Sequence, residues 1–292
     1  MWNLLRVSAG MDLRDKTFVI TGANTGIGRA NAIALAELGI GRLIIAARSV
    51  ERTEPVLAAV RERNPDAKVE FLALDLADLA SVSKAANEIL EKDLTIDALI
   101  NNAGVAGVRG QTKDGFELAF GINHVGHYLW TEKLLPLVRR APQGRIIIVA
   151  SDAHYRAKQA IDWNAVRQPS ATFSAFPEYS VSKLANVLHA NELARRLAGT
   201  NVSTYSLHPG AVASDIWKRR LGVLHVLLRP FLVTNEEGTK TQLRCETAPE
   251  LARETGLYYE KERPKRPSRQ ALDVTLQDEL KARSDEYVAA FL

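Results

Sequence analysis

Short runs of almost unbroken apolar residues recur along this chain, each followed by a longer segment with an apolar stripe at helical spacing. The runs are Lys16–Thr21, Gly41–Ala47, Lys68–Leu74, Ile96–Asn101, Gly144–Ser151 and Asn201–Leu207. A strand without polar alternation is buried on both faces, and such strands belong to parallel sheets covered by helices. The segments Gly26–Gly39, Val50–Asn64, Leu79–Leu90, much of Asp114–Arg140, and Pro177–Ala198 supply those helices. Alternation of this kind gives βαβ units and a doubly wound α/β fold. The expected architecture is a mainly parallel sheet of about seven strands with helices on both faces. No internal repeat or low-complexity linker divides the 292 residues, so 12–292 reads as a single domain after a short extension, 1–11.

Composition removes several classes of function. The net charge of +4 is dispersed along the chain, which argues against nucleic acid as a partner. Cys245 is the only cysteine, so no internal disulfide can form and the chain reads as cytoplasmic. It lies in a helical stretch and reads as a small packing residue. The opening MWNLLRVSAGM is too short in apolar residues for a signal peptide or a membrane span. No later run reaches roughly 18 uninterrupted apolar residues. The basic, proline-containing stretch Glu260–Gln270 reads as a solvated loop before the last helix.

The first strand ends in TGANTGIG, Thr21–Gly28. Glycines at 22, 26 and 28 between a strand and a helix allow a tight turn and close approach of phosphates, and the helix N-terminus offers free N–H groups to them. The pattern alone is weak; its strand–turn–helix setting gives it weight. An acidic residue at the end of the second strand would accept a ribose 2′-hydroxyl. Ala47–Arg48 stands there instead, and Arg29 follows the glycine turn. A guanidinium suits a 2′-phosphate, which favours NADP(H) over NAD(H). Asp78 is the better-placed helix cap after the third strand, which frees Asp75 for the ligand crevice. The fourth strand ends in NNAG, Asn101–Gly104, another small-residue turn.

In EYSVSKLANVLHANELARRL, Tyr179 and Lys183 stand at i and i+4 on one helix face. By itself such a pair is equally a surface contact. Taken in chain order, however, Thr21–Gly28, Asp75, Asn101–Gly104, Asn123, Ser151, Tyr179–Lys183 and Pro209–Gly210 resemble the motifs of the short-chain dehydrogenases/reductases, whose Rossmann-type domain would cover residues 12–292. SDAHYRA, YSVSKLANVLHANELARRL, SLHPGAVASDI and GLYY narrow the resemblance to the retinol-dehydrogenase-like and carbonyl reductase branch. Two features depart from that branch: no N-terminal membrane anchor is visible, and Ser214 stands where threonine is common.

The resemblance implies an NADP(H)-dependent oxidoreductase acting on an apolar aldehyde, ketone or alcohol. The dinucleotide would lie on Gly22, Asn24, Thr25, Gly26, Ile27, Gly28, Arg48, Asp75, Leu76, Asn102, Ala103, Gly104, Tyr179, Lys183, Pro209, Gly210, Val212 and Ser214. Tyr179 would move the proton, its usual pKa near about 10 lowered by the ammonium of Lys183 and the positive nicotinamide. Lys183 would also bond the nicotinamide ribose. Ser151 would hold the substrate oxygen as it gains charge, and Asn123 would support a water leading from Lys183 to solvent. Ser151, Tyr179, Trp217 and Leu221 would meet the substrate.

Other readings remain beside this one. A dinucleotide-binding redox sensor or scaffold could keep the glycine turn without turnover, although it would not need the intact Ser–Tyr–Lys set. A sugar epimerase or dehydratase would need a longer chain. His124, His127 and His154 have no metal-ligand spacing, and no metal is expected. Trp217, Leu221, Leu224, Leu228 and Phe231 form one apolar helical stripe. By resemblance, 213–238 is a lid over an apolar substrate; a weak contact with a membrane surface is the rival. The helices Asn123–Arg140 and Pro177–Ala198, apolar on more than one face, are expected to build a homodimer.

Overall fold

The computed structural model describes residues 11–157, 161–210 and 234–292. β1 (Thr17–Thr21), α1 (Gly26–Glu37), β2 (Arg42–Ala47), α2 (Val50–Arg63) and β3 (Lys68–Ala73) make the first half of the domain. α3 (Leu79–Glu91) leads to β4 (Ala98–Asn101). α4 (Leu118–Phe120), a π-helical turn (Gly121–Gly126) and α5 (His127–Val138) run on without a break to β5 (Gly144–Val149). α6 (Phe176–Arg196) and β6 (Val202–His208) follow, then α7 (Asn235–Thr247), β7 (Leu257–Glu260), β8 (Arg263–Lys265) and α8 (Val274–Val288).

The strand order is β3-β2-β1-β4-β5-β6-β7-β8, parallel as far as β7. Side chains alternate across the sheet. Phe18 and Ile20 of β1 join the core under α1, α2 and α7, whereas Val19 joins the core shared with α3, α5 and α6. The chain reverses direction across the sheet between β1 and β4. Ligands of open α/β sheets bind at that switch point, beyond the carboxyl ends of the strands.

The seven parallel strands match the expected sheet, and β8 is an addition. It lies inside the stretch expected to be a solvated loop and pairs antiparallel with β7. Its three residues are all exposed, so no apolar pattern marked it. Backbone pairing and the Lys265–Glu260 ion pair hold it, and its charged side chains and proline blunt the sheet edge.

The caps follow the sequence. Asp78 accepts the N–H groups of Ala80 and Ser81 at the start of α3. Thr234 and Glu237 form a reciprocal capping box on α7. The far end of α7 is held by buried Arg145, which donates to the carbonyls of Cys245 (2.9 Å) and Ala248 (2.7 Å). A guanidinium there meets the negative end of the helix dipole. Cys245 is fully buried and its thiol is pushed up by that burial, in keeping with a packing role.

The expected homodimer needs open apolar faces on the helices within 123–140 and 177–198. Every residue of Ser182–Ala194 in α6 is already buried within one chain, as is most of α5. α8 lies across this face. His124 pairs with Ser284 (2.8 Å), Tyr128 donates to Asp285 (2.5 Å) and Arg195 donates to Gln277 (2.9 Å). Within one chain, the C-terminal helix covers part of this surface. No described helix is long and apolar enough to cross a membrane.

Candidate active site

Two turns at the switch point are locked together. The hydroxyl of Thr21 accepts the N–H groups of Asn102 and Ala103, each at 3.0 Å, and Asn102 Nδ2 donates to the Thr21 carbonyl at 2.7 Å. There is no spare room. A Cβ on Gly22, whose φ is +69°, would lie 2.7 Å from Ala103 Cβ, and one on Gly28 would lie 2.6 Å from Asn102 Nδ2.

The start of α1 suits an anion. Thr25 is its N-cap but makes no side-chain cap bond, and no acidic residue occupies the first turn. The N–H groups of Gly26, Ile27 and Gly28 are therefore left to a ligand, with the helix dipole behind them. Asn24 is half-buried beside this turn and Thr25 is exposed. The sequence did not single out Asn235, the first residue of α7. Its Oδ1 is buried without a partner among the described residues and would lie 4.0 Å from a Cβ placed on Gly26. The N–H groups of the first turn, with no carboxylate beside them, fit a dinucleotide pyrophosphate; the Asn235 oxygen, an acceptor, would instead suit a donor.

Arg48 is exposed beyond the carboxyl end of β2 and makes no ion pair with a described residue. Asp75 accepts the N–H of Ala77 at 3.0 Å, while its own N–H donates to Ser81 (3.0 Å). Leu76 is buried beneath the π-helical turn, where a Cβ on Gly126 would come within 2.6 Å of its carbonyl oxygen. Pro209 and Gly210 close β6, with Gly210 at φ +97°. Val212, Ser214, Trp217 and Leu221 lie outside the described residues, as does 213–233 of the expected lid.

Ser151, Tyr179, Lys183 and Asn123 converge. Ser151 follows β5, where its hydroxyl lies near enough to the Tyr179 phenol to act on it, donates to Asp152 Oδ1 (3.2 Å) and accepts the N–H of Ala153 (3.2 Å). Lys183 is buried one helical turn along α6 from Tyr179. Its Nζ lies 5.8 Å from the Tyr179 ring centre and would lie 3.5 Å from a Cβ on exposed Gly104. Glycine there keeps the space above Lys183 open. Burial pushes the Tyr179 phenol up to about 12 and draws Lys183 down to about 7. In the protein alone, desolvation of the phenolate outweighs the lowering by the Ser151 hydroxyl, and the Asp152 carboxylate adds to the rise.

The Asn123 side chain is engaged inside the protein. Its Oδ1 accepts the N–H of Val105 (2.8 Å), and its Nδ2 donates to the Val105 carbonyl (3.0 Å) and to Ser182 Oγ (2.9 Å). Ser182 in turn donates to the Tyr179 carbonyl (2.7 Å). The amide is a staple between the β4 turn and α6, with both protons committed. A water held by Asn123 must therefore use its main-chain carbonyl.

No cluster of three metal-ligating side chains occurs among the described residues. The histidines set aside in the sequence are hydrogen-bonded instead. His154 Nε2 accepts the Ser268 N–H (3.1 Å), so its proton sits on Nδ1, which donates to the Ser151 carbonyl (2.6 Å). That ring fixes the backbone of Ser151. The sequence missed it because Ser268 is over a hundred residues away.

The geometry agrees with what comparison with known proteins finds. A family model described as short chain dehydrogenase matches residues 16–221. Dehydrogenase/reductase SDR family member 13 of Bos taurus is 39% identical over 253 residues, 85% of this chain and 66% of its own. The chain thus spans just under two thirds of that relative. Human Retinol dehydrogenase 12 is 39% identical over 253 residues, 85% of this chain and 78% of its own. Human Retinol dehydrogenase 13 is 35% identical over 285 residues, 94% of this chain and 84% of its own. Among solved structures, an uncharacterised protein from Mycobacterium paratuberculosis has a TM-score of 0.78 at 30% identity, with 97% of each chain covered. A Shigella flexneri short chain dehydrogenase complexed with NADP has a TM-score of 0.71 at 20% identity, covering 86% of this chain and 99% of that one, a likeness of fold alone.

Proposed function

Because this chain belongs to the short-chain dehydrogenase family, with relatives of the retinol dehydrogenase kind, we propose that it is an NADP(H)-dependent oxidoreductase of apolar aldehydes, ketones or the corresponding alcohols. The observation that carries this reading is the convergence of Ser151, Tyr179 and Lys183 beside Gly104 at the switch point. When bound, the nicotinamide supplies or takes the hydride and, when oxidised, brings a positive charge.

Tyr179, protonated at neutral pH, donates its proton to the carbonyl oxygen in the reductive direction. Ser151 hydrogen-bonds the same oxygen as charge develops on it. Lys183, near its midpoint at neutral pH, can restore the proton. The free N–H groups of Gly26–Gly28 hold the pyrophosphate, and Arg48 reads the 2′-phosphate. The apolar stripe Trp217, Leu221, Leu224, Leu228 and Phe231 supports an apolar substrate, since buried polar groups without partners cost free energy.

A panel of retinoid, alkyl and aromatic aldehydes and ketones, with sugars as polar controls, tests this reading with NADPH and NADH at the nicotinamide absorbance. Turnover with apolar carbonyls and NADPH is expected. Dinucleotide binding without turnover on any carbonyl or alcohol would instead point to a sensor or scaffold.

A further inference from the structure

His127, the first residue of α5, is 2% exposed and sits between the two halves of the site. Its Nε2 lies 2.8 Å from Thr21 Oγ1 and its Nδ1 lies 3.1 Å from the Asn123 carbonyl oxygen. The direction of both bonds follows from donor counting. Thr21 Oγ1 already accepts the N–H groups of Asn102 and Ala103, so both its lone pairs are used. Its single proton has two acceptors in reach: His127 Nε2 at 2.8 Å and the Ile100 carbonyl at 3.5 Å. The shorter contact takes it. An Nε2 that accepts leaves the ring proton on Nδ1, which then donates to Asn123.

We propose that His127 is a positioning residue, an Nδ1–H imidazole that couples the dinucleotide turn, through Thr21, to the main-chain carbonyl of Asn123. The inference rests on the dehydrogenase reading of the site. Its bonds all point one way, from the N–H groups of the β4 turn through Thr21 and His127 to that carbonyl, so each strengthens the next. The Asn123 side chain is fully committed to Val105 and Ser182. Its carbonyl has two lone pairs; His127 takes one and fixes the direction of the other, which can hold a proton-carrying water. The ring is well suited to a fixed role. Burial holds its pKa down to about 4, and the nearby Lys183 charge adds to that, so it stays neutral where the enzyme would work.

Three variants separate the two ends of the ring. His127→Phe keeps the bulk and loses both bonds; His127→Asn places an amide near Nδ1; His127→Gln places one near Nε2. His127→Phe is expected to lower kcat roughly 10- to 100-fold with little change in KM, the scale of a misplaced catalytic group. His127→Asn should recover most of that loss, and His127→Gln should not. An independent reading comes from the ring itself. In 15N-histidine-labelled protein, with His127 assigned by its loss in His127→Asn, Nδ1 should carry the proton and the ring should not titrate between about pH 5 and about pH 8. An Nε2–H tautomer, a ring that titrates, equal rescue by Asn and Gln, or losses in kcat that simply follow Tm would each overturn the proposal. If the wild-type protein turns over nothing, the dehydrogenase reading fails, and the ring spectrum still decides whether the Thr21–His127–Asn123 bonds exist.

Discussion

Lys183 donates its ammonium to the main-chain carbonyl of Val149 across 2.8 Å, and Asn186 donates to the same oxygen at 3.1 Å. Val149 is the last residue of β5, so its carbonyl holds the lysine at the base of the crevice. No carboxylate pairs with Lys183 among the described residues. Its burial is therefore uncompensated, and its pKa falls from 10.5 to about 7.

That shift predicts a trade between stability and function. The folded pKa lies below the unfolded value, so the unfolded chain binds more protons between the two. The resulting cost is full below about pH 7 and fades as pH rises toward about 10.5. At about 1.4 kcal/mol per pKa unit it can reach a few kcal/mol. Lys183→Met removes the charge and leaves Asn186 on the Val149 carbonyl. The variant should melt several degrees above wild type at about pH 6, with the gap shrinking toward about pH 10, and should have no turnover. Calorimetry of the ligand-free proteins measures the gap; a less stable variant at about pH 6 contradicts the uncompensated burial.

Tyr179 gives the reaction a pH signature. With its pKa pushed up to about 12, the phenol is a ready donor and a scarce base at neutral pH. Alcohol oxidation should rise with pH from about 7 to about 10, whereas carbonyl reduction should stay flat or fall. Tyr179→Phe should lower kcat in both directions by roughly 100-fold or more and leave dinucleotide Kd nearly unchanged. A variant with near wild-type kcat removes Tyr179 from the proton transfer.

Much of this site was legible in sequence because its parts are local. Thr21–Gly28 and Asn101–Gly104 lie at strand ends and Tyr179–Lys183 is one turn of α6, all places that periodicity locates. What escaped was contact between distant segments. The commitment of the Asn123 amide depends on Val105 and Ser182, the tautomer of His154 on Ser268, and the reach of Asn235 toward Gly26 on the packing of α7 against α1. β8 escaped for another reason: its three exposed residues carry no apolar pattern that would mark a strand. The rise in the Tyr179 pKa also needed the fold, because desolvation is set by everything packed around the phenol.

Arg48 should discriminate between the two dinucleotides. It is exposed beyond β2 and makes no ion pair with a described residue, and a lost charge-assisted contact costs about 1–3 kcal/mol. Arg48→Ala should therefore weaken NADPH roughly 5- to 150-fold while NADH changes little. Dissociation constants from protein fluorescence decide it, and equal losses for both would mean that another group meets the 2′-phosphate.

The position of α8 bears on assembly. Leu276 and Leu280 are buried, His124 and Tyr128 of the helical path bond Ser284 and Asp285, and Asn191 Nδ2 donates to the Ala271 carbonyl at 2.8 Å. A partner reaching α5 and α6 would have to displace these contacts and expose those leucines again, at roughly 1.5–3 kcal/mol for each side chain. The 32.1 kDa chain is therefore expected to show no interface through α5 and α6, and to run as a monomer by light scattering at micromolar concentration. Truncation before Asp273 should reverse this, because it opens the apolar face of α6; the shortened chain should dimerise or aggregate. A full-length dimer whose cross-links map to α5 and α6 would show that α8 gives way to a second copy, and the homodimer expected from the sequence would then stand.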